Sequence, residues 1–195
     1  MNRLTVALFA TMDADFVSVL QPYLDGANAM LAPYSMSVEV FTTVGDSGSP
    51  RKLPYSGAVF DASGDPGTIR QQAHTVLPVG RGIPVIFCKR QTDDTKGFGF
   101  EFGSTIQTAS PANNGVSWLP YILINTQLRS VTNEVLLHEM IHAAYGTAQP
   151  GHDTDKSSAF YDYGSEDMKV GSPARKLPPQ HADRLRKAYF ATYTP

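Results

Sequence analysis

Apolar residues in this chain occur in short, dense runs, separated by segments with helical spacing or with many turn residues. Four segments have the apolar runs or the period-2 alternation that is typical of strands. These predicted strands span 4–12, 35–44, 83–89 and 121–125. Apolar residues at i, i+3 and i+4 spacing predict a helix to about Ala32, with Asp13 or Asp15 as its N-cap. A loop is predicted at 45–56 and a further helix at 65–76.

The segment 98–102 has a different pattern from the other predicted strands. Phe98, Phe100 and Phe102 alternate with a glycine and a glutamate, and further glycines bound the segment. Glycines and a short length are typical of a strand at the edge of a sheet. We therefore predict an edge strand at 98–102, followed by a loop at 104–118.

Two more helices are predicted in the second half of the chain. One begins after Ser130, a good N-cap residue, and ends before Gly146. The other follows Pro178 and Pro179 near the C-terminus. The segment 147–179 between them has little periodicity and many helix-breaking residues. An irregular segment of this length inside a domain is more often functional than idle.

In chain order, these elements predict an α+β (α/β-like) fold. Helices that alternate with buried strands favour a mixed, mostly parallel sheet, to which we add an antiparallel edge strand. The helix after Ser130 and the C-terminal helix complete the predicted fold. With 195 residues the chain can bury a substantial core, so we expect one domain over 1–195.

Composition and charge argue against nucleic acids and membranes as partners. The net charge is −2 and the basic residues are scattered, so we expect no nucleic acid as a partner. Apolar runs stay well below the roughly 18 residues of a membrane span, so no membrane association is expected. The N-terminal segment suits a first strand better than a cleaved signal peptide. The compartment stays open between the cytoplasm and export by another route, and we expect a monomer.

The helix after Ser130 carries the strongest chemical signal in the sequence. His138, Glu139 and His142 follow the order His-Glu-x-x-His. Residues four apart lie on the same face of a helix, so the two imidazoles can bind one metal ion. Glu139 projects roughly 100° around the helix from His138, close enough to reach a water on that ion without binding the metal itself. The pattern predicts a metal site with a carboxylate base.

The types of ligand at this site favour zinc. Neutral imidazoles suit a borderline-soft tetrahedral ion, and Cys88 is the only cysteine, so a cysteine cluster is excluded. One catalytic Zn²⁺ is therefore the expected cofactor. Zinc activates a water and polarises a carbonyl, while Glu139 would accept the proton of that water and pass it to a departing amine. This chemistry indicates hydrolysis of an amide bond.

The same residues resemble the metzincin clan of zinc peptidases. The motif of that clan is His-Glu-x-x-His-x-x-Gly-x-x-His, followed downstream by a methionine in a tight turn beneath the metal (the Met-turn). His138, Glu139 and His142 match this motif. Gly146 lies one residue late, and His152 lies ten residues after His142 instead of six. The longer spacing requires a bulged loop before His152.

The resemblance implies roles for residues outside the helix. Met168 stands where the clan's methionine would fall, and an ordinary core methionine is the alternative. Tyr161 or Tyr163 would donate a hydrogen bond to the oxyanion formed during hydrolysis, with a packing role as the alternative for each. A peptide or protein substrate would pair with the edge strand at 98–102, which would line the cleft.

The third metal ligand is open among three residues. A catalytic zinc takes three protein ligands and keeps a fourth position for water or substrate. His152 is preferred because of its side chain, although a solvated loop histidine is its alternative. Asp153 and Glu166 are the other candidates. Glu166 would make the chain more similar to the gluzincins, zinc peptidases whose third ligand is a glutamate.

We therefore expect a zinc-dependent endopeptidase with His138, His142 and His152 as ligands and Glu139 as general base. A non-catalytic zinc-binding module of the same fold is the first alternative, and Asp153 could then be a fourth ligand that closes the site. A zinc hydrolase that acts on a non-peptide bond is the second alternative. Substrate profiling separates that enzyme from a peptidase.

Overall fold

The computed structural model describes most of the chain in eight segments. They are 1–41, 50–53, 82–89, 102–106, 120–127, 133–146, 150–161 and 175–193. The helix predicted at 65–76 lies outside these residues, as do Phe98 and Phe100 of the predicted edge strand.

A mixed sheet organises the described part of the chain. Its seven strands are β1 (Asn2–Ala10), β2 (Met36–Phe41), β3 (Arg51–Lys52), β4 (Ile83–Cys88), β5 (Gly103–Ile106), β6 (Tyr121–Asn125) and β7 (Ala191–Tyr193). The main path through the sheet runs β2-β1-β4-β6-β5, and β3 and β7 each pair with β1. All described pairs are parallel except β5 with β6 and β7 with β1. The predicted α+β fold, with a mostly parallel sheet and an antiparallel edge strand, is confirmed.

The structure differs from the predictions in the position of the edge strand and in two additional short strands. β5 begins at Gly103, so the loop predicted from 104 onward is wrong at its start. β3 lies inside the loop predicted at 45–56, and β7 has no predicted counterpart. Both short strands pair with the ends of the long β1: β7 pairs with residues 2–4, which β4 does not cover, and β3 pairs with residues 9–10, beyond β2. Pairing between distant segments creates these strands, so local patterns do not reveal them.

Three α-helices accompany the sheet in the described segments. They are α1 (Val17–Leu31), α2 (Val135–Tyr145) and α3 (Pro179–Arg186). The N-cap predictions were wrong: Phe16 and Glu134 occupy the N-cap positions of α1 and α2, without a side-chain cap. Asp13 instead accepts a hydrogen bond from Thr11 Oγ1 at 2.8 Å. Before α2 the backbone of Asn133 is left-handed, with φ of 55°, so the helix begins only after that turn. None of the described helices is long and apolar enough to cross a membrane.

The three helices pack on one face of the sheet. In this layer α2 is almost completely buried. Alternate residues of β1 point to the two faces, with Leu4, Val6 and Leu8 toward the helices and Ala7 and Phe9 toward the opposite side. Nine of the eleven residues of α2 are buried. Full burial of a large apolar side chain contributes about 1.5–3 kcal/mol, so packing rather than capping holds this helix. Cys88 lies in the cluster on the opposite face as a buried thiol.

Gly26 allows α1 to lie close to the residue that precedes α2. A Cβ added at Gly26 of α1 would collide with the carbonyl oxygen of Asn133 and lie 2.9 Å from the Cβ of that residue. Glycine lowers the helix propensity of α1 by about 1 kcal/mol relative to alanine. In return, the absence of a side chain at Gly26 permits the close approach of α1 to Asn133, the residue before the N-cap of α2.

Candidate metal centre

Three histidines converge at one point on the surface of α2. His138 and His142 lie one turn apart on the helix, and the segment 150–161 brings His152 beside them. Nε2 of His142 lies 3.1 Å from Nε2 of His138 and 3.0 Å from Nε2 of His152. His138 is buried, His142 is half-buried and His152 is exposed. The cluster is therefore reached from solvent on the His152 side.

The ring of His138 is held in one tautomer by the backbone. Its Nδ1 lies 2.9 Å from the carbonyl oxygen of Ala159, which can only accept, so Nδ1 carries a hydrogen and donates it. Burial lowers the pKa of His138 from 6.5 to about 3, helped by the neighbouring His142 and opposed by the bond to Ala159. The ring is therefore neutral at physiological pH, with a lone pair on Nε2. This is the form in which histidine binds a metal ion.

The three imidazoles fit a metal ion as a donor set. Metal–nitrogen bonds of about 2.0–2.1 Å in a tetrahedral site place neighbouring ligand nitrogens roughly 3.3 Å apart. Two of the nitrogen pairs here are 3.0 Å and 3.1 Å apart, and all three ligand atoms lie within 4.8 Å of one another. Three imidazoles without a thiolate suit a divalent transition metal. His138, His142 and His152 could therefore hold one such ion.

Phe160 forms an apolar floor under the three imidazoles. Its ring centroid lies 5.3 Å from that of His138, 4.7 Å from that of His142 and 5.1 Å from that of His152. The side chain is fully buried. An aromatic ring at these distances packs against the imidazoles and limits their rotation. The sequence offers no signal for this role, because Phe160 lies in an irregular segment without periodicity.

Asp153, a candidate third ligand, is engaged in a different set of contacts. Its Oδ2 accepts a hydrogen bond from Ser158 Oγ at 2.5 Å and another from Nε2 of the buried His181 at 3.0 Å. The hydroxyl of Tyr145, at the end of α2, lies 3.0 Å from Nδ1 of His181. These contacts join α2 and α3 to the segment that carries His152. Among the described residues, Asp153 is outside the group that could hold the metal.

Glu139 is buried beside the histidines and contacts the edge strand. Its Oε2 accepts a hydrogen bond at 2.7 Å from the hydroxyl of Thr105 on β5. The same hydroxyl oxygen lies 2.8 Å from the backbone carbonyl oxygen of Glu139. A Cβ added at Gly103 would lie 2.9 Å from Cγ of Glu139 and 2.9 Å from Cγ1 of Val135. The absence of a side chain at Gly103 therefore lets β5 approach α2 closely.

Of the four remaining predicted site residues, the structure describes one, Tyr161. The ring of Tyr161 has the guanidinium carbon of Arg175 5.5 Å from its centroid and the ammonium of Lys156 5.9 Å away. These cation–π contacts indicate a packing role for its ring. Tyr163, Glu166 and Met168 lie outside the described residues, so their roles stay predictions.

Comparison with known proteins adds a fold relationship. No protein-family model matches the chain, and no curated protein matches it. Among solved structures, metalloproteinase-II from Bacteroides fragilis matches with a TM-score of 0.56 and 13% sequence identity. The match covers 94% of this chain and 52% of that structure, so the chain spans about half the length of its structural neighbour. At this identity the likeness shows a shared fold alone.

Proposed function

We propose that this chain is a metzincin-type, zinc-dependent endopeptidase. The observation that carries the proposal is the convergence of three imidazole nitrogens, two of them on the helix that also carries the buried Glu139. The Bacteroides fragilis structure that shares the fold is a metalloproteinase, which supports the same class. The His-Glu-x-x-His residues and the shared fold support the same activity.

His138, His142 and His152 would hold the zinc ion. A zinc ion held there would lower the pKa of its bound water toward 7 and would polarise a substrate carbonyl. The backbone carbonyl of Ala159 orients His138, and Phe160 supports all three rings from below. Met168 remains a proposed second support beneath the metal.

Glu139 would move the proton during hydrolysis. The water oxygen forms a bond to the carbonyl carbon of the substrate, and one water proton passes to the carboxylate of Glu139. Glu139 then gives this proton to the amide nitrogen as the carbon–nitrogen bond breaks. The products are a carboxylic acid and an amine. Tyr161 or Tyr163 remains a proposed donor to the oxyanion.

The substrate is proposed to be a peptide or protein in extended conformation. β5 ends the described path of the sheet, and an extended peptide can add to such an edge by backbone hydrogen bonds. The proposed edge is Gly103–Ile106 together with the preceding residues 98–102. β5 also contacts Glu139, so a peptide on this edge would lie near the proposed base.

The rival hypothesis of a non-catalytic zinc module has less support. Such a module needs a fourth protein ligand, and Asp153 was its candidate. The Asp153 carboxylate already accepts hydrogen bonds from Ser158 and His181. A buried carboxylate at Glu139, next to the metal ligands, also has no use in a structural site.

The direct test combines metal analysis with peptide hydrolysis. We expect the zinc-loaded chain to cleave a library of internally quenched peptides, and we expect a chelator to abolish cleavage. Glu139→Gln should retain one zinc per chain and lose cleavage by at least about 100-fold, since a positioned base contributes about 10²–10⁴ in rate. His138→Ala should lose zinc and activity together. Full activity of Glu139→Gln would disprove the mechanism, and zinc binding without any peptide cleavage would disprove the activity.

A further inference from the structure

The edge strand contacts the carboxylate of Glu139 through Thr105. Thr105 donates its hydroxyl to Oε2 at 2.7 Å. Gly103 lies on the same face of β5, because residues two apart in a strand point to the same side. A Cβ at Gly103 would lie only 3.2 Å from Oε1 of Glu139. One short strand thus contacts one carboxylate oxygen of Glu139 and has no side chain beside the other.

We infer that Thr105 is a positioning residue that fixes the carboxylate of Glu139 for proton transfer, an inference that rests on the proposed peptidase function. A glutamate side chain has three rotatable bonds, so its carboxylate needs a partner to stay in one place. The Thr105 hydroxyl binds one oxygen, and the absence of a side chain at Gly103 leaves room for the other in this position. A carboxylate held in this way does not have to be oriented anew in each catalytic cycle.

The same strand would connect the base to the substrate. Thr105 and Gly103 point toward α2, while the backbone of β5 pairs with β6 on one edge. A peptide added to the other edge would be aligned by the element that also aligns Glu139. Thr105 would therefore couple the position of the scissile bond to the position of the base.

A purely structural role for Thr105 makes a different prediction. Its hydroxyl oxygen also lies 2.8 Å from the backbone carbonyl of Glu139, so it could serve only to join β5 to α2. Loss of that link would weaken folding and would leave the turnover of the folded fraction unchanged. The two roles are therefore separated by turnover per folded, zinc-loaded molecule.

The experiment compares Thr105→Val and Thr105→Ala, which remove the hydroxyl, with Thr105→Ser, which keeps it. In the full zinc-loaded chain we expect both hydroxyl-free variants to lower kcat about 10- to 100-fold, as loss of a partner of a site residue does. KM should stay within about twofold, because substrate binding is not the step affected. Thr105→Ser should restore kcat. Thr192→Val removes a threonine hydroxyl on β7 that contacts the backbone carbonyl of Arg3, outside the proposed site; it is the matched control and should keep wild-type turnover.

A second measurement does not depend on activity. Carbon-13 labelling of the five glutamates, with Glu139→Gln to assign one of them, gives the side-chain resonance of Glu139 by NMR. With and without added zinc, this resonance should move in Thr105→Val and Thr105→Ala and should stay in place in Thr105→Ser and Thr192→Val.

The inference is overturned if the hydroxyl-free variants keep wild-type kcat, if Thr105→Ser is as slow as they are, or if the Glu139 resonance does not move. Should the wild-type chain cleave no peptide, the proposed function fails. The NMR comparison would still decide whether Thr105 holds the carboxylate. Should Thr105→Val not fold, Thr105→Ala and Thr105→Ser still form the decisive pair.

Discussion

Nδ1 of His138 donates a hydrogen bond to the backbone carbonyl of Ala159 across 2.9 Å. This bond joins the helix that carries two of the histidines to the segment that carries the third. It also selects the tautomer whose Nε2 faces the other imidazoles. The three-histidine cluster is therefore organised by a backbone contact as well as by the contacts among its imidazoles.

The buried ring of His138 should make the stability of the metal-free chain depend on pH. Its pKa is about 3 in the folded chain and 6.5 when exposed, because burial disfavours the charged ring. Between these values the unfolded chain binds more protons than the folded one, so stability falls as the pH falls. Each pH unit in this window should cost up to about 1.4 kcal/mol from this group. Urea denaturation between pH 7 and pH 4 checks the slope. His138→Gln, which cannot be protonated, should have a shallower slope, and an unchanged slope would contradict this assignment.

Phe160 should be needed for metal affinity as well as for stability. Phe160→Leu keeps the site apolar and removes the ring under the imidazoles, and we expect zinc affinity to fall roughly tenfold. Phe190→Leu is the matched control, since Phe190 is also fully buried and no ring contact with the histidines is described for it. Both variants should lose about 1–3 kcal/mol of stability. Competition with a fluorescent zinc chelator measures the affinity, and equal affinities for the two variants would exclude a specific role for Phe160.

The contacts of Asp153 should hold His152 in place. Asp153→Asn weakens the hydrogen bonds that residue 153 accepts from Ser158 and His181. The segment that carries His152 is then held less firmly, so we expect zinc affinity to fall about tenfold. Asp155→Asn is the control, because Asp155 is exposed and accepts hydrogen bonds only within its own turn among the described contacts. Calorimetric titration with zinc compares the two variants. Wild-type affinity in Asp153→Asn would show that the segment is held by other contacts.

Gly103 should tolerate no side chain if the strand and the base are to stay in contact. An added methyl group would lie 2.9 Å from both Glu139 Cγ and Val135 Cγ1, so the carboxylate or the strand must shift. We expect Gly103→Ala to retain zinc and to lose peptide hydrolysis about 100-fold, the effect of a displacement near 1 Å. Gly151→Ala is the control, because an added Cβ there has no described atom within 4 Å. Peptide cleavage with parallel zinc analysis measures both, and equal activities would contradict the close approach.

Local sequence patterns were sufficient to predict three strands of the sheet and the pairing of two of the three histidines. The strand at 121–125 matches its predicted bounds, and those at 83–89 and 4–12 match theirs to within two residues. The i, i+4 spacing of His138 and His142 places them together on any helix, whatever the rest of the fold.

The exact beginnings of the helices could not be predicted from candidate cap residues. The left-handed backbone of Asn133 directly precedes the N-cap of α2, and α1 approaches that residue closely at Gly26. The edge strand shows the same limit: alternating phenylalanines indicated a strand, while pairing with β6 defines β5 as Gly103–Ile106. Contacts between distant segments override local preference in both cases.

The sequence by itself determined the fold class, the helix with His138, Glu139 and His142, and the metal chemistry that these residues favour. Tertiary structure decided which further residues meet them. His152 reaches the cluster through an irregular segment held by Asp153 and His181, and Thr105 reaches Glu139 because β5 pairs with β6. Periodicity encodes only neighbours a few residues apart along the chain. The remaining contacts arise from packing between segments far apart in sequence, which no local pattern records.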